Sequence, residues 1–474
     1  MNARRAKRSP RIQKTRPRRA NDTTTYTLRR AIRRLDAKSP QHGLKVLDLF
    51  AGAGGLSEGF RQAGYTVLGG SDIDPDAAAT YALNFPEAMS ICGDIRSRAI
   101  REQIDFLAAT ADVVVGGPPC QAFSQVRNHS RLIDDPRNSL YREFVRVVRT
   151  VLPNAFVMEN VTGIDQMGIR EQIISDLSLD GEYHVIAQIL DAANFGVPQT
   201  RKRLLFVGIR STLRCGPPKL RGSDAIDSIA LVRTPERKRA RYDVVVQESV
   251  FSKGMYEALR DPNDLSVVTV EQALSDLVSL QIGNRVDDIL WTHLPTPQSA
   301  YQRLMRDGMD PRIANVQVPR INEDTAIRLE AIPPGGNYRD LSPKLMDRYL
   351  TGQRWGQDNG SGRLSRRHFY AYRRLHPGIW AWTLNTKADS VYHYERSRAL
   401  SVREFARLQS FPDRFVFTTD ARRGAIRGRQ EGGAAHSRYR QVGNAVPPLL
   451  GKALGEALEK VLVTALARNL SRAA

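Results

Sequence analysis

Two side chains at the ends of neighbouring apolar segments carry the chemistry open to this sequence. Cys120 stands in GGPPCQAFS (116–124), directly after the apolar run VVVGG (113–117). Glu159 stands near the end of AFVMENV (155–161). A thiol at the C-terminal edge of a buried strand, in a turn stiffened by Pro118 and Pro119, faces a crevice and is a candidate nucleophile. A lone cysteine is also a common small hydrophobe in cores. Glu159 and Asn160 tilt the reading towards chemistry, because a carboxyl group beside a nucleophilic thiol can protonate a substrate ring nitrogen as general acid. QTRKR (199–203) precedes another apolar run, LLFVGI (204–209), and adds Arg201 and Arg203 for anion or carbonyl contacts.

A second constellation lies earlier. LDLFAGAGGLSEGF (47–60) reads as a strand, a glycine-rich turn through Gly52 and Gly54, and a helix beginning near Leu56. Such a turn lets the backbone approach a ligand at the helix N-terminus. Asp72 follows at the end of the next strand, where an acid accepts hydrogen bonds from ribose hydroxyls. Gly93 and Asp94 occupy a third strand end. Three successive strand tips with ligand-type residues fit a nucleoside-containing cofactor. A dinucleotide is disfavoured, because Ser57 stands where the G-x-G-x-x-G fingerprint needs its last glycine.

The elements that must position these residues alternate. Apolar runs at 46–50, 66–70, 113–117 and 155–161 predict buried strands, with two more at 183–190 and 204–209. Segments 56–63, 76–84 and 140–151 predict helices between them. The alternation implies an α/β fold with a Rossmann-like, doubly wound, mostly parallel sheet. After about residue 210 the rhythm gives way to Pro, Gly and charge, and it resumes at 401–410 and in a final helix near 448–467. The expected division is a basic tail at 1–40, one domain built from 41–210 and 395–474, and a second, irregular domain at 211–394.

Composition narrows the setting. The chain has 474 residues and a net charge of +21, which favours a polyanionic partner, nucleic acid first. Residues 1–34 hold 13 Lys and Arg against the single acid Asp22, so this stretch accounts for +12 and the rest for +9. Without apolar periodicity, residues 1–25 are expected to be disordered. Further basic clusters lie at 233–241 and 422–440. No apolar run approaches the roughly 18–20 residues of a membrane span, and no secretory signal core is present, so no membrane partner is expected. Three cysteines without C-x-x-C spacing argue against a disulfide framework or a cysteine-rich zinc site.

These blocks, in this order, resemble the C5-cytosine DNA methyltransferases. LDLFAGAGGLSEGF is similar to the family's first S-adenosylmethionine motif. SDID (71–74), GDI (93–95), GGPPCQAFS, MENVTG (158–163) and QTRKR are similar to its next blocks. RALSVREFARLQSFPD (398–413) and RYRQVGNAVPP (438–448) resemble its last two, and PPGGNYRDL (333–341) resembles a segment late in its target-recognition region. The resemblance implies S-adenosyl-L-methionine as cofactor, no metal, and duplex DNA as partner. It implies that Phe50 stacks on the adenine, Asp72 holds the ribose, and Asp94 accepts from the adenine amino group. Gly52, Gly54, Ile73, Ile95, Pro119, Leu140 and Asn444 would complete that pocket; relatives often carry a larger side chain at the Ile73 position. Cys120 would attack C6 of a flipped cytosine and Glu159 would hydrogen-bond N3. Arg203, with Arg201 beside it, would contact the base or its phosphates.

Residues 121–138 follow the nucleophile, and their polarity suits a mobile loop closing over DNA. Gln121, Ser124, Arg127 and Arg131 are its candidate DNA contacts, with Arg137 also within this stretch. A similar fold acting on RNA cytosine, or an inactive DNA-binding regulator, are the alternatives. The DNA-type blocks and the long insert weigh against the first, and the filled catalytic positions against the second. A chain of this kind is expected to be a monomeric, cytoplasmic, nucleoid-associated bacterial modification enzyme. It would protect DNA alongside a restriction endonuclease acting separately.

Overall fold

Alternation within the strands builds the architecture. Odd and even residues of one strand point to opposite faces of a sheet, and here both faces are buried. Val46, Val113, Val115, Val157 and Val207 join one hydrophobic core, while Leu47, Leu49, Val114, Phe156, Met158 and Phe206 join the other. This is the pattern of a sheet covered by helices on both sides. The computed structural model describes residues 42–119, 139–166, 168–236, 240–247, 254–281, 287–308, 311–350, 372–420 and 433–473.

The seven strands are β1 (Lys45–Leu49), β2 (Thr66–Asp72), β3 (Met89–Cys92), β4 (Val113–Gly116), β5 (Ala155–Asn160), β6 (Tyr183–Asp191) and β7 (Lys202–Arg210). Their order in the sheet is β3-β2-β1-β4-β5-β7-β6. The pairs among β1–β5 are parallel, and β7 runs antiparallel to both β5 and β6. The chain reverses its direction of winding between β1 and β4, and open α/β sheets bind ligands beyond the strand ends at such a point. Helices α1 (Gly55–Gln62), α2 (Pro75–Asn84), α3 (Arg98–Ala108), α4 (Ser139–Val151) and α5 (Arg170–Ser178) connect the strands.

Between β7 and residue 400 the described elements are short, as the loss of rhythm after residue 210 implies. They include the hairpin of Ile229–Thr234 with Arg241–Val246 and a small pairing of Asp288–Leu290 with Arg312–Ala314. Leu274, Leu277, Tyr301, Ile313, Leu384 and Val391 from this stretch nevertheless share one hydrophobic core with the covering helices of the sheet. Helix α6 (Val402–Leu408) fastens the two parts. Its fully buried Arg407 pairs with Asp276 and Asp413 at 3.0 and 2.6 Å. Arg403 donates to the carbonyls of Ala314, Pro412 and Phe415. Breaking such buried pairs leaves an uncompensated charge, which costs about 3–5 kcal/mol.

The chain then returns to the sheet and its helices through α7 (Gly433–Asn444) and α8 (Pro448–Ala473). Helix α8 packs on α1 through a seam of small residues. A Cβ at Gly59 would lie 2.5 Å from the Pro448 carbonyl oxygen and 2.6 Å from Gly451, and one at Gly455 would lie 2.7 Å from the Ala63 Cβ. Tyr65 closes the seam by donating to the Gly455 carbonyl at 3.1 Å. Gly59→Val is therefore expected to destabilise the protein by about 1–3 kcal/mol through overpacking. An unchanged midpoint in urea unfolding would contradict this close approach. No described helix is long and apolar enough to cross a membrane.

Candidate active site

A cleft of 540 Å³ opens at the β1/β4 switch point. The tips of five strands line it: Phe50 and Gly52 after β1, Asp72 and Ile73 at β2, Asp94 and Ile95 after β3, Gly117–Pro119 after β4, and Glu159 with Asn160 on β5. Leu140 enters from α4, Arg201 and Arg203 from the start of β7, and Asn444 from the end of α7. Segments more than 200 residues apart in the chain thus meet in one cavity.

On the β1–β2 side the backbone is held in an unusual shape. Phe50 leaves the strand at φ 60°, in the left-handed region that non-glycine residues seldom adopt. Gly54 follows at φ 96°, and a Cβ there would strike the Phe85 ring at 2.4 Å. Gly54 does not line the cleft; it shapes the turn, whereas Gly52 does line it. Asp72 secures the turn, accepting from Gly52 N and Asp74 N, each at 2.8 Å. Burial raises its carboxyl above the usual range, against the pull of those backbone donors. Each oxygen keeps a lone pair for a ligand hydroxyl. Ile73 is exposed at the rim and Ile95 is buried beneath it. Asp94 is held to about 2 by hydrogen bonds from Arg96, whose guanidinium grips both carboxylate oxygens at 2.7–3.1 Å.

On the β4–β5 side Glu159 pairs with Arg203, and both side chains are largely buried. Gly117 makes room for that carboxylate, since a Cβ there would lie 2.8 Å from Glu159 Oε2. Asn160 turns the other way and donates to the Pro118 carbonyl at 3.0 Å. Glu159 and Asn160 therefore hold the turn that leads into Cys120 from both sides. Cys120, Gln121, Ser124, Arg127 and Arg131 lie outside the described residues, as do the tail at 1–40 and part of each Arg-rich cluster.

Arg201 departs from its neighbour. The resemblance puts it beside Arg203 on base or phosphate. In the structure it is buried, and it donates to the carbonyls of Leu384 and Gly443 at 3.2 and 2.6 Å. The physical reason is position: Arg203 is on β7 two residues from Leu205, the register partner of Glu159, while Arg201 precedes the strand and its guanidinium hydrogen-bonds only to backbone acceptors among the described residues.

Several cleft residues are absent from the sequence-based candidates. Arg440 lines the cleft and pairs with Asp74 at 2.8 Å, tying α7 to the start of α2. Asp48, also in the lining, had one visible signal, an acid inside an otherwise apolar strand. Its Oδ2 accepts from Ser57 N and Oγ at 3.2 and 2.7 Å, and Ser57 Oγ is 3.1 Å from the Tyr81 hydroxyl. Burial pushes its carboxyl from 3.8 up to about 7, and the nearby Asp72 and Glu159 add to the rise. Between those two values the unfolded chain has lost this proton while the folded chain keeps it. Its contribution to stability therefore falls as pH rises through that window and levels off above about 7. Asp48→Asn is expected to gain stability relative to the parent over the same range, measured by thermal unfolding of the ligand-free protein from acid to neutral pH. A pH-independent difference would contradict a neutral Asp48.

Among the described residues no group of His, Cys, Asp and Glu could hold a metal ion. Comparison with known proteins gives a consistent family. The profile described as C-5 cytosine-specific DNA methylase matches residues 44–460. The chain is 30% identical to type II methyltransferase M.AgeI of Thalassovita gelatinovora, covering 88% of this chain and 99% of that protein. It is 31% identical to type II methyltransferase M.DdeI of Desulfomicrobium norvegicum, covering 87% and 88%. Among solved structures, a protein encoded within an E. coli prophage and described as a DNA modification methyltransferase shares the fold. It matches with a TM-score of 0.51 and 24% identity, covering 89% of this chain and 99% of that one.

Proposed function

The chain belongs to the C-5 cytosine-specific DNA methylase family, and from that premise we propose how its residues carry the reaction. It is a DNA (cytosine-5-)-methyltransferase, so it moves a methyl group onto C5 of cytosine in DNA. The proposed donor is S-adenosyl-L-methionine. The cleft fits it: Asp48, Asp72 and Asp94 line one cavity and offer hydrogen-bond partners to a ligand with ribose hydroxyls and an amino group. Phe50 offers a ring for the adenine, Asp72 the ribose contacts, Asp94 an acceptor for the adenine amino group, and Asn444 closes the far wall. When bound, the donor supplies an electrophilic sulfonium methyl group.

C5 of cytosine is too weak a nucleophile to take that methyl group unaided. In the proposed mechanism the Cys120 thiolate adds to C6 while Glu159 delivers a proton to N3, which makes C5 enamine-like. Arg203 orients the Glu159 carboxyl and faces the same edge of the base. After methyl transfer, a base such as water takes the C5 proton, the Cys120 thiolate leaves C6, and the N3 proton returns to Glu159, which restores the aromatic ring. A base inside a duplex is out of reach, so it is flipped out at a cost of a few kcal/mol. Gln121, Ser124, Arg127 and Arg131 are assigned to the DNA strand around the vacated position. Residues 211–394 are assigned to target recognition and 41–210 with 395–474 to catalysis. The tail at 1–40 is assigned to non-specific attraction to phosphates.

The observation that carries this reading is the convergence of Glu159, the Gly117–Pro118 turn before Cys120, and Asp72 on one cleft. Relatives named type II methyltransferases support a role in bacterial DNA modification, and we assign the chain to the cytoplasm as a nucleoid-associated monomer beside a separately acting endonuclease. Bisulfite sequencing of DNA from cells expressing the chain tests the assignment. The expected result is 5-methylcytosine confined to one short sequence context. Methyl uptake by tRNA with none by duplex DNA would overturn it.

A further inference from the structure

Two buried side chains converge on the segment that brings Asn444 into the cleft, and a third braces one of them. Helix α7 ends at Asn444 and Pro447 follows closely, so the helix cannot run on. The last carbonyls of a helix have no partner within it. Here each carbonyl flanking Asn444 is met from elsewhere. Gln409 Nε2 donates to Val442 O at 3.2 Å and to Ala445 O at 2.6 Å. Arg201 Nη2 donates to Gly443 O at 2.6 Å.

The same groups are tied to each other and to the insert. Gln199 donates to Gln409 Oε1 and to Leu408 O, and it accepts from Leu384 N at 2.8 Å. Arg201 Nη1 reaches Leu384 O. Thr200 N donates to Ala381 O and Ala381 N to Pro198 O, each at 2.9 Å. Gln199 and Gln409 are fully buried and Arg201 is 2% exposed. A guanidinium at a helix C-terminus also meets the negative end of the helix dipole. Two carbonyls and the helix dipole therefore offset the cost of burying the Arg201 guanidinium away from solvent.

We infer that Arg201 and Gln409 are positioning residues for the methyl-donor site: they cap the end of α7 and so set Asn444 against the cleft, and Arg201 does not contact DNA. The inference rests on the reading that the cleft wall formed by Asn444 binds the donor. It gives the first half of QTRKR a role distinct from that of Arg203. It also explains how a domain split by the long insert presents one continuous pocket.

Arg201→Lys, Gln409→Met and Asn444→Ala in the full chain test it. Binding of S-adenosyl-L-methionine is read by calorimetry, turnover at saturating donor by methyl incorporation, and DNA binding at several salt concentrations by anisotropy. Losing a charge-assisted or buried hydrogen bond is expected to weaken donor binding roughly tenfold in each of the first two variants. Turnover at saturating donor should fall less than KM for the donor rises, the signature of lost ground-state binding. DNA affinity and its salt dependence should stay at the parent values. Parent donor affinity in Arg201→Lys together with weaker, less salt-dependent DNA binding would overturn the inference and make Arg201 a phosphate contact. If Gln409→Met does not fold, Arg201→Lys, which keeps the charge, carries the test. Asn444→Ala separates the two levels: weakened donor binding there but not in the others defeats the capping role alone. Unchanged donor binding in Asn444→Ala defeats the reading of the pocket itself.

Discussion

Cys120→Ser is expected to abolish methylation of duplex DNA, with turnover falling by at least about 10⁴-fold. Removing the nucleophile of an enzyme whose groups act as a unit costs up to about 10⁶ in turnover, and a 10⁴-fold loss is about 5 kcal/mol of barrier. C5 becomes nucleophilic only while a group is bonded to C6, and a serine hydroxyl is far less ionised and less nucleophilic than a thiol. The turn before residue 120 is itself tied to β5: Asn160 holds the Pro118 carbonyl, and Gly117 lies against the Glu159 carboxylate. Binding of S-adenosyl-L-methionine should be unaffected, because the acids proposed to hold it stand on β1, β2 and after β3. Methyl incorporation measured with labelled donor, beside donor affinity by calorimetry, checks both halves. A variant that methylates at near the parent rate would rule out covalent catalysis by Cys120.

Glu159→Gln is the second large effect, a loss of about 10²–10⁴-fold in turnover, the usual range for a general acid. An amide can still accept from Arg203 but cannot give N3 a proton. The exchange also leaves Arg203 without its carboxylate in a largely buried pair, so some loss of stability should accompany the loss of rate. Single-turnover methyl transfer at saturating donor and DNA separates the two, since a folded variant with normal binding and slow chemistry identifies the proton donor. Retention of more than a tenth of the parent rate would assign Glu159 to orientation alone.

Much of the site was legible in the sequence because its parts obey local rules. Apolar runs of strand length ending in a polar residue mark strand tips, and Asp72, Asp94 and Glu159 all stand at such tips in the cleft. Glycines in a strand-to-helix turn mark close backbone approach, and Gly54 sits hard against Phe85. The left-handed conformation of Phe50 had no such signal, because it follows from the turn as a whole rather than from its own type. Asp48 was overlooked for a related reason. An acid in an apolar strand breaks the pattern, and only the position of Ser57 one helical turn into α1 explains how it is tolerated.

Arg201 and Arg203 draw the line most sharply. Two residues apart, with the same side chain, they are equivalent in sequence. In space one pairs with a carboxylate and the other with two carbonyls. The strength of a charged group's interactions depends on distance and local dielectric, and both are set by whichever segments happen to lie nearby. For Arg201 those segments are 384 and 443, far along the chain and brought back by α8 packing its glycines against α1. Strand positions, the alternation with helices and the residue types at the strand tips came from local patterning, since periodicity and turn chemistry act between near neighbours. Which arginine pairs with the Glu159 carboxylate and which with distant carbonyls was decided by tertiary structure, because burial and Coulomb forces respond to neighbours in space and not in sequence.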